Sequence, residues 1–343
     1  MLNKLSIENF KNIEKQEFDI KPITILTGLN STGKSSVIQS LLLLSWMHSN
    51  STLLNKHIKK FSNYTNVRNK YLNAKSISLN ADFTNNSANM FCNGESTWEF
   101  VRYSENYLYF EENLFYISGN RIGQEDIALY DEDIKFGING EYVFSYFEQN
   151  KDIFVENELI KYEGHKSLDG QLSYWLEYIL EVKLRVVTEK ITDTAITVKF
   201  NSDGIDGLSP FNLGAGNSYL AKILIMGLSC KKGNILIIEN PEIHLHPKAQ
   251  ARLSDFFVLL ANAGIQVIIE THSEHLINKL RYNIYKKKIS KDDAIIYYKP
   301  NIRENFITIN INNNGHYINE ENIKRAFPEG FFDSTLKELL AMM

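Results

Sequence analysis

The sequence predicts an α/β protein: a mostly parallel sheet flanked by helices, with an antiparallel β subdomain and an inserted α+β lobe. Three observations carry this. The runs 23–27, 235–239 and 265–270 are continuously apolar and β-branched, the composition of strands covered on both faces. Each is followed by a helix-like pattern, at 34–47, 247–263 and from Ser273 onward. Between about residues 50 and 189 the character changes to Asn, Tyr, Phe and Glu with alternating strand-like runs, which reads as an insertion between 1–49 and 190–343.

In chain order, residues 4–49 read as strand, turn, strand, loop and helix. The insertion offers strands at 76–83, 98–103 and 107–117 and an amphipathic helix at 168–180. After it come a strand at 195–201, a Gly-rich turn, a helix to about Ser229, the strand 235–239, the helix 247–263 and the strand 265–270. The tail adds strands at 294–298 and 306–311 and a short helix near 334–340.

With 343 residues, 43% hydrophobic and 12% aromatic, the chain can bury a large core. A net charge of −4 and a pI near 6.1 exclude a globally basic nucleic-acid binder. Local basic clusters remain at residues 57–60, 68–75 and 279–288, so DNA or RNA contact stays open. Cys92 and Cys230 lack C-x-x-C spacing, which excludes a zinc hook and suits a reducing cytosol. The N-terminus alternates as a strand does, and the apolar run 37–47 is too short to cross a bilayer. The expectation is a cytoplasmic protein without a membrane role.

The segment Gly28-Leu-Asn-Ser-Thr-Gly33-Lys34-Ser35 fits the phosphate-loop pattern G-x-x-x-x-G-K-S/T, between a buried strand and a helix. Glycines let backbone N–H groups turn inward around phosphates, and the helix presents its positive end there. Asn30, Ser31, Thr32, Gly33, Lys34, Ser35 and Ser36 are therefore expected to hold ATP, with the Ser35 hydroxyl on Mg²⁺.

The motif Ile235-Leu-Ile-Ile-Glu239-Asn240-Pro241-Glu242-Ile-His244-Leu-His246-Pro247 is an apolar strand ending in a carboxylate. It resembles the Walker B and D-loop region of ATP-binding-cassette-type ATPases, in the RecF/OLD-like branch where E-E-P-E or E-N-P-E replaces D-E-P. The resemblance implies a P-loop NTPase of that type, with Glu239 on Mg²⁺. Asn240 falls where the superfamily usually has its catalytic glutamate, and Asn cannot accept a proton at neutral pH. The roles stay open between Glu242 as the base, Asn240 positioning water, and slow or switch-like turnover.

The run Val267-Ile-Ile-Glu270-Thr271-His272-Ser273 resembles the H-loop, which makes His272 the γ-phosphate sensor. The turn Asn212-Leu-Gly214-Ala-Gly216-Asn217-Ser218 resembles the degenerate signature of the same branch. Gly214, Gly216 and Ser218 would then contact the ATP of an opposite subunit, giving a homodimer across ATP. His244 and His246 also admit a metal reading, weakened by the absence of further ligands nearby in sequence; their place in the D-loop region implies an inter-subunit contact as the better reading. Arg121 resembles an R-x-G element seen before the signature helix; a structural salt bridge is the alternative.

No G-x-S-x-G, H-E-x-x-H or Toprim-like acidic set occurs. The tail Phe327-Pro-Glu-Gly-Phe-Phe-Asp333 resembles the closing segment of small standalone ATPases of bacterial defence islands, Septu-like systems included. The resemblance implies an ATP-hydrolysing regulatory ATPase controlling a separate effector protein, such as a nuclease, in an anti-phage complex. Rival readings are a nucleotide-gated scaffold with negligible hydrolysis and a RecF-like DNA-repair ATPase on duplex DNA.

Overall fold

The computed structural model describes residues 1–46, 51–60, 63–84, 86–94, 98–102, 108–319, 321 and 323–328. Its strands are β1 (Leu2–Phe10), β2 (Ile13–Asp19), β3 (Ile23–Gly28), β4 (Ile77–Phe83), β5 (Ser87–Cys92), β6 (Trp98–Arg102), β7 (Leu114–Ile117), β8 (Ile127–Leu129), β9 (Leu184–Thr192), β10 (Ala195–Ser202), β11 (Ile205–Leu208), β12 (Ile235–Glu239), β13 (Gln266–Glu270), β14 (Ala294–Lys299), β15 (Ile307–Ile311) and β16 (Tyr317–Ile318). The helices are α1 (Lys34–Trp46), α2 (Thr52–Ile58), α3 (Tyr64–Val67), α4 (Val143–Asn150), α5 (Leu168–Leu180), α6 (Ala215–Leu228), α7 (Pro247–Asn262) and α8 (Glu274–Tyr285).

Among the described residues the central sheet runs β16-β15-β14-β3-β13-β12-β7, parallel from β14 to β7 and antiparallel at the β15 and β16 edge. A second, antiparallel sheet runs β2-β1-β4-β5-β6, and a third joins β8, β9, β10 and β11. Side chains alternate across the central sheet. Leu26, Ile237 and Ile268 face one core, whereas Ile25, Leu236, Ile238, Val267 and Ile269 face the other.

The first core explains why α1 carries no polar face. Val37, Ile38 and Leu41 to Leu44 pack with Leu5 and Ile7 of β1, Leu79 of β4 and the central strands, so α1 is sandwiched between two sheets. The other core takes α5 to α8, including Leu172 and Leu176 of α5, Leu224 of α6, Phe256 of α7 and Leu280 of α8. Burial of each such side chain contributes about 2 kcal/mol. Among the described residues no helix is long and apolar enough to cross a membrane.

The division at residues 50 and 189 does not separate sheets. β4 pairs with β1, completing the N-terminal sheet, and β7 forms the edge of the central sheet beside β12. Within the described part of the expected strand 107–117, from residue 108 on, only Leu114–Ile117 is a strand; the Asn113 side chain accepts the Tyr109 N–H at 2.8 Å, closing a turn instead. The helix expected near 334–340 and most of the P-E-G-F-F-D segment lie outside the described residues.

Candidate nucleotide site

The C-terminal ends of β3, β13 and β12 lie side by side, the position where open α/β sheets present ligands. Gly28, with φ +135°, leaves β3 so close to the neighbouring β14 that a Cβ would stand 2.2 Å from the Lys299 carbonyl oxygen. Gly33, with φ +102°, is equally confined, since a Cβ would meet the Asn12 amide at 2.1 Å. Only glycine closes this loop. Asn12 braces it by donating to the Thr32 carbonyl and accepting the Ser36 hydroxyl at 3.3 Å, and Thr32 Oγ1 donates to Leu29 O at 2.8 Å. Asn30 and Ser31 are exposed at the tip.

Lys34 is buried, and its ammonium donates to the carbonyls of Gly28 (3.1 Å) and Leu29 (2.6 Å). Burial lowers its pKa while the Glu270 carboxylate works against the shift. Ser35 Oγ donates to Glu270 Oε1 at 3.1 Å, which links the helix start to the end of β13. The residues expected to bind phosphate therefore surround one loop opening at the N-terminus of α1.

Glu239 ends β12 directly opposite Glu270 in the β12–β13 register. Its Oε2 accepts the Gly119 N–H at 3.0 Å, and burial raises its pKa against the pull of that N–H, Tyr116 and Arg121. Glu270 is pushed up to about 7, first by burial and then by the Glu239 charge. Asn240 adopts φ +45°, with its N–H on the Glu270 carbonyl at 2.7 Å. Glu242 is engaged at both oxygens, accepting Thr271 Oγ1 at 2.8 Å and the His272 N–H at 2.7 Å. It thus ties the end of β12 to the loop after β13, and burial raises its pKa. Desolvation, followed by the Lys34 charge, brings His272 down to about 4, so its imidazole is neutral at physiological pH and can hydrogen-bond an anion.

Gly214 is the exposed N-cap of α6, with no side-chain cap bond and open space around its Cα. Gly216 and Ser218 are buried instead; a Cβ on Gly216 would lie 2.4 Å from the His244 carbonyl. Gly214 therefore stands free at the start of α6, while Gly216 seats α6 against the backbone of the loop after β12. His244 packs on Tyr219, ring centroids 5.2 Å apart, and His246 caps α7 through Nδ1. Among the described residues no group of three or more His, Cys, Asp or Glu could hold a metal. A cation at the loop would need the Ser35 hydroxyl and water or phosphate oxygens besides carboxylates. That set of hard oxygen donors fits Mg²⁺.

Arg121 is buried and donates to the carbonyls of Glu239 (2.9 Å) and Asn240 (3.0 Å) while lying 4.9 Å from the Tyr219 ring centroid. Burial lowers its pKa to about 10. It makes no salt bridge within 4.0 Å among the described residues, so the ion-pair alternative gives way to backbone anchoring. Gln124 of the same loop donates to Pro210 O at 2.8 Å and Leu213 O at 2.6 Å, and Glu125 pairs with the buried Lys222 of α6 at 2.6 Å. Sequence reasoning missed Asn12, Gln124 and Glu270. Of these only Glu270 left a signal, since two Ile-Ile-Glu endings close successive apolar strands.

A 61-residue stretch is 43% identical to the Old nuclease of Escherichia phage P2, covering 18% of this chain and 10% of that protein, so the chain spans about a tenth of that relative. An SMC head bound to the C-winged helix domain of ScpA superposes with a TM-score of 0.60 at 12% identity, covering 90% of this chain and 97% of that one. The Smc head domain with an extended coiled coil, bound to the C-terminal domain of ScpA derived from Pyrococcus furiosus, gives 0.53 at 11% identity, covering 90% and 96%. These likenesses bear out the ATP-binding-cassette-type P-loop fold. Residues 99–278, more than half of the chain, match the family described as "AAA domain, putative AbiEii toxin, Type IV TA system", and the chain belongs to that family of AAA ATPase domains.

Proposed function

We propose that the chain binds ATP·Mg²⁺ at the Gly28–Ser35 loop, closes as a head-to-tail homodimer over two nucleotides, hydrolyses ATP slowly and so controls a separate effector. The observation that carries this is the convergence of Lys34, Ser35, Glu239, Glu270 and His272 at adjacent strand ends, with Ser35 and Glu270 in contact at 3.1 Å. Lys34 and the loop amides would hold the phosphates, Ser35 and Glu239 the cation, and neutral His272 the γ-phosphate. Bound Mg²⁺ would supply charge neutralisation during phosphoryl transfer. Gly214 and the α6 N-terminus would complete the site of the opposite subunit. The likeness of the tail to Septu-like ATPases supports an anti-phage role, and the stretch shared with the Old nuclease supports a nuclease as the effector's chemistry.

Phosphate release from the purified chain tests the reading. Wild type is expected to turn over slowly, and Lys34→Ala and Glu239→Gln to lose turnover by about a hundredfold or more. Equal rates in wild type and Lys34→Ala sink the ATPase assignment. A nucleotide-gated scaffold is the second reading, supported by Glu242 having both oxygens engaged and Asn240 lacking a basic group. It is distinguished by ATP-dependent dimerisation without phosphate release.

A further inference from the structure

The pair of acids at the ends of β12 and β13 extends beyond a single Walker B carboxylate. Glu239 and Glu270 are register partners on parallel neighbouring strands, so their side chains leave the sheet on the same side. Glu270 is only 6% exposed, yet its Oε2 has no hydrogen-bond partner among the described residues. A charged, buried carboxylate oxygen without a donor is unfavourable until a proton or a cation meets it. The nearby cations are directed elsewhere. Lys34 donates to loop carbonyls, and Arg121 donates to the backbone of Glu239 and Asn240. The other Glu270 oxygen is already held by Ser35, the hydroxyl that a P-loop places on its cation.

We propose that Glu270 is a second carboxylate for the divalent cation, so that Ser35, Glu239 and Glu270 form a partial site for a hard cation such as Mg²⁺ or Mn²⁺ before nucleotide arrives. The inference rests on the ATP·Mg²⁺ reading for its biological meaning, but the cation site stands on its own geometry. One hydroxyl and two carboxylates leave coordination positions for water and phosphate oxygens, which suits an octahedral ion that dehydrates reluctantly. The cation would neutralise the mutual repulsion of the two acids and seat the β- and γ-phosphates against a preloaded charge.

Mn²⁺ alone serves as the probe, followed by the electron paramagnetic resonance of the free ion while the full chain is titrated without nucleotide. Wild type is expected to bind one ion, and Glu270→Gln to weaken binding by at least about tenfold. Binding of a fluorescent ATP analogue to wild type in excess chelator is measured in parallel, where it reports on the nucleotide cradle without the cation. Equal Mn²⁺ affinity in the two proteins overturns the inference while leaving the ATP reading intact. Failure of wild type to bind the analogue, with or without cation, sinks the ATP reading and leaves the Mn²⁺ comparison to decide this one. If Glu270→Gln does not fold, Glu270→Asp decides, because it keeps the charge but withdraws it by one methylene. It is expected to lose Mn²⁺ affinity, and unchanged Mn²⁺ affinity overturns the proposal.

Discussion

Glu270 is a buried acid and Glu242 a half-buried one, and what sets them apart is their hydrogen-bond partners. The Glu270 pKa stands at about 7, above its usual value of 4.5. The protonated form is therefore favoured by folding, and its contribution is full below the usual value and lost as pH rises through about 7. Glu270→Gln stays neutral at every pH. In chelator-treated protein it is expected to gain about 2–3 kcal/mol relative to wild type between about pH 5 and about pH 8, read by urea unfolding. A pH-independent difference contradicts the assignment. Glu242, by contrast, already accepts from Thr271 and from His272. An amide in its place can accept at one atom only, so Glu242→Gln is expected to cost about 1–2 kcal/mol of stability. If turnover collapses in that variant while stability is untouched, Glu242 is the base rather than the brace between the two loops.

At the scale of elements, α6 separates a residue that packs from a residue that can dock. Gly216 lies against the His244 carbonyl at a distance no Cβ can share, so Gly216→Ala is expected to destabilise the chain by about 1–3 kcal/mol in chemical unfolding. Gly214 has open space and an ordinary φ of −62°. Gly214→Glu is therefore expected to fold normally and bind nucleotide, yet to lose ATP-dependent dimerisation in sedimentation, because a carboxylate would face the phosphates of the partner site. Retained dimerisation removes the signature turn from the interface. Both roles were written in one G-x-G-x-S string, and nothing local says which glycine faces inward. The same limit shows elsewhere. The run 235–239 and the helix 168–180 were legible to the residue, since continuous apolar β-branching and amphipathic spacing are local properties. Residues 107–117 were read as one strand from their alternating pattern; in the described part, residues 109–113 instead close a turn through the Asn113 side chain.

Across the whole molecule, the least legible feature was the placement of the 50–189 stretch. Strand pairing of β4 with β1 and of β7 with β12 spans long sequence separations, and alternating patterns do not name their partner strands. That weaving has a consequence for communication. The loop after β7 carries Arg121 onto the Glu239 and Asn240 carbonyls, Gln124 onto the carbonyls of Pro210 and Leu213, and Glu125 onto Lys222 of α6. One short loop therefore holds both the acidic end of β12 and the start of α6, and in the proposed dimer these would serve opposite sites. Arg121 and Lys222 are both buried, so a shift at Glu239 on cation or nucleotide binding would be felt in this loop and, through it, at α6. Arg121→Ala removes the contacts to Glu239 and Asn240 but leaves Gln124 and Glu125 in place. It is expected to leave analogue binding by the separated subunits within about twofold, and to weaken ATP-dependent dimerisation by about tenfold or more, a coupling loss of roughly 1–2 kcal/mol. Unfolding measured alongside separates coupling from mere loss of structure. If dimerisation follows stability, or if nucleotide affinity falls in parallel, the loop is a scaffold and the two sites communicate by another route.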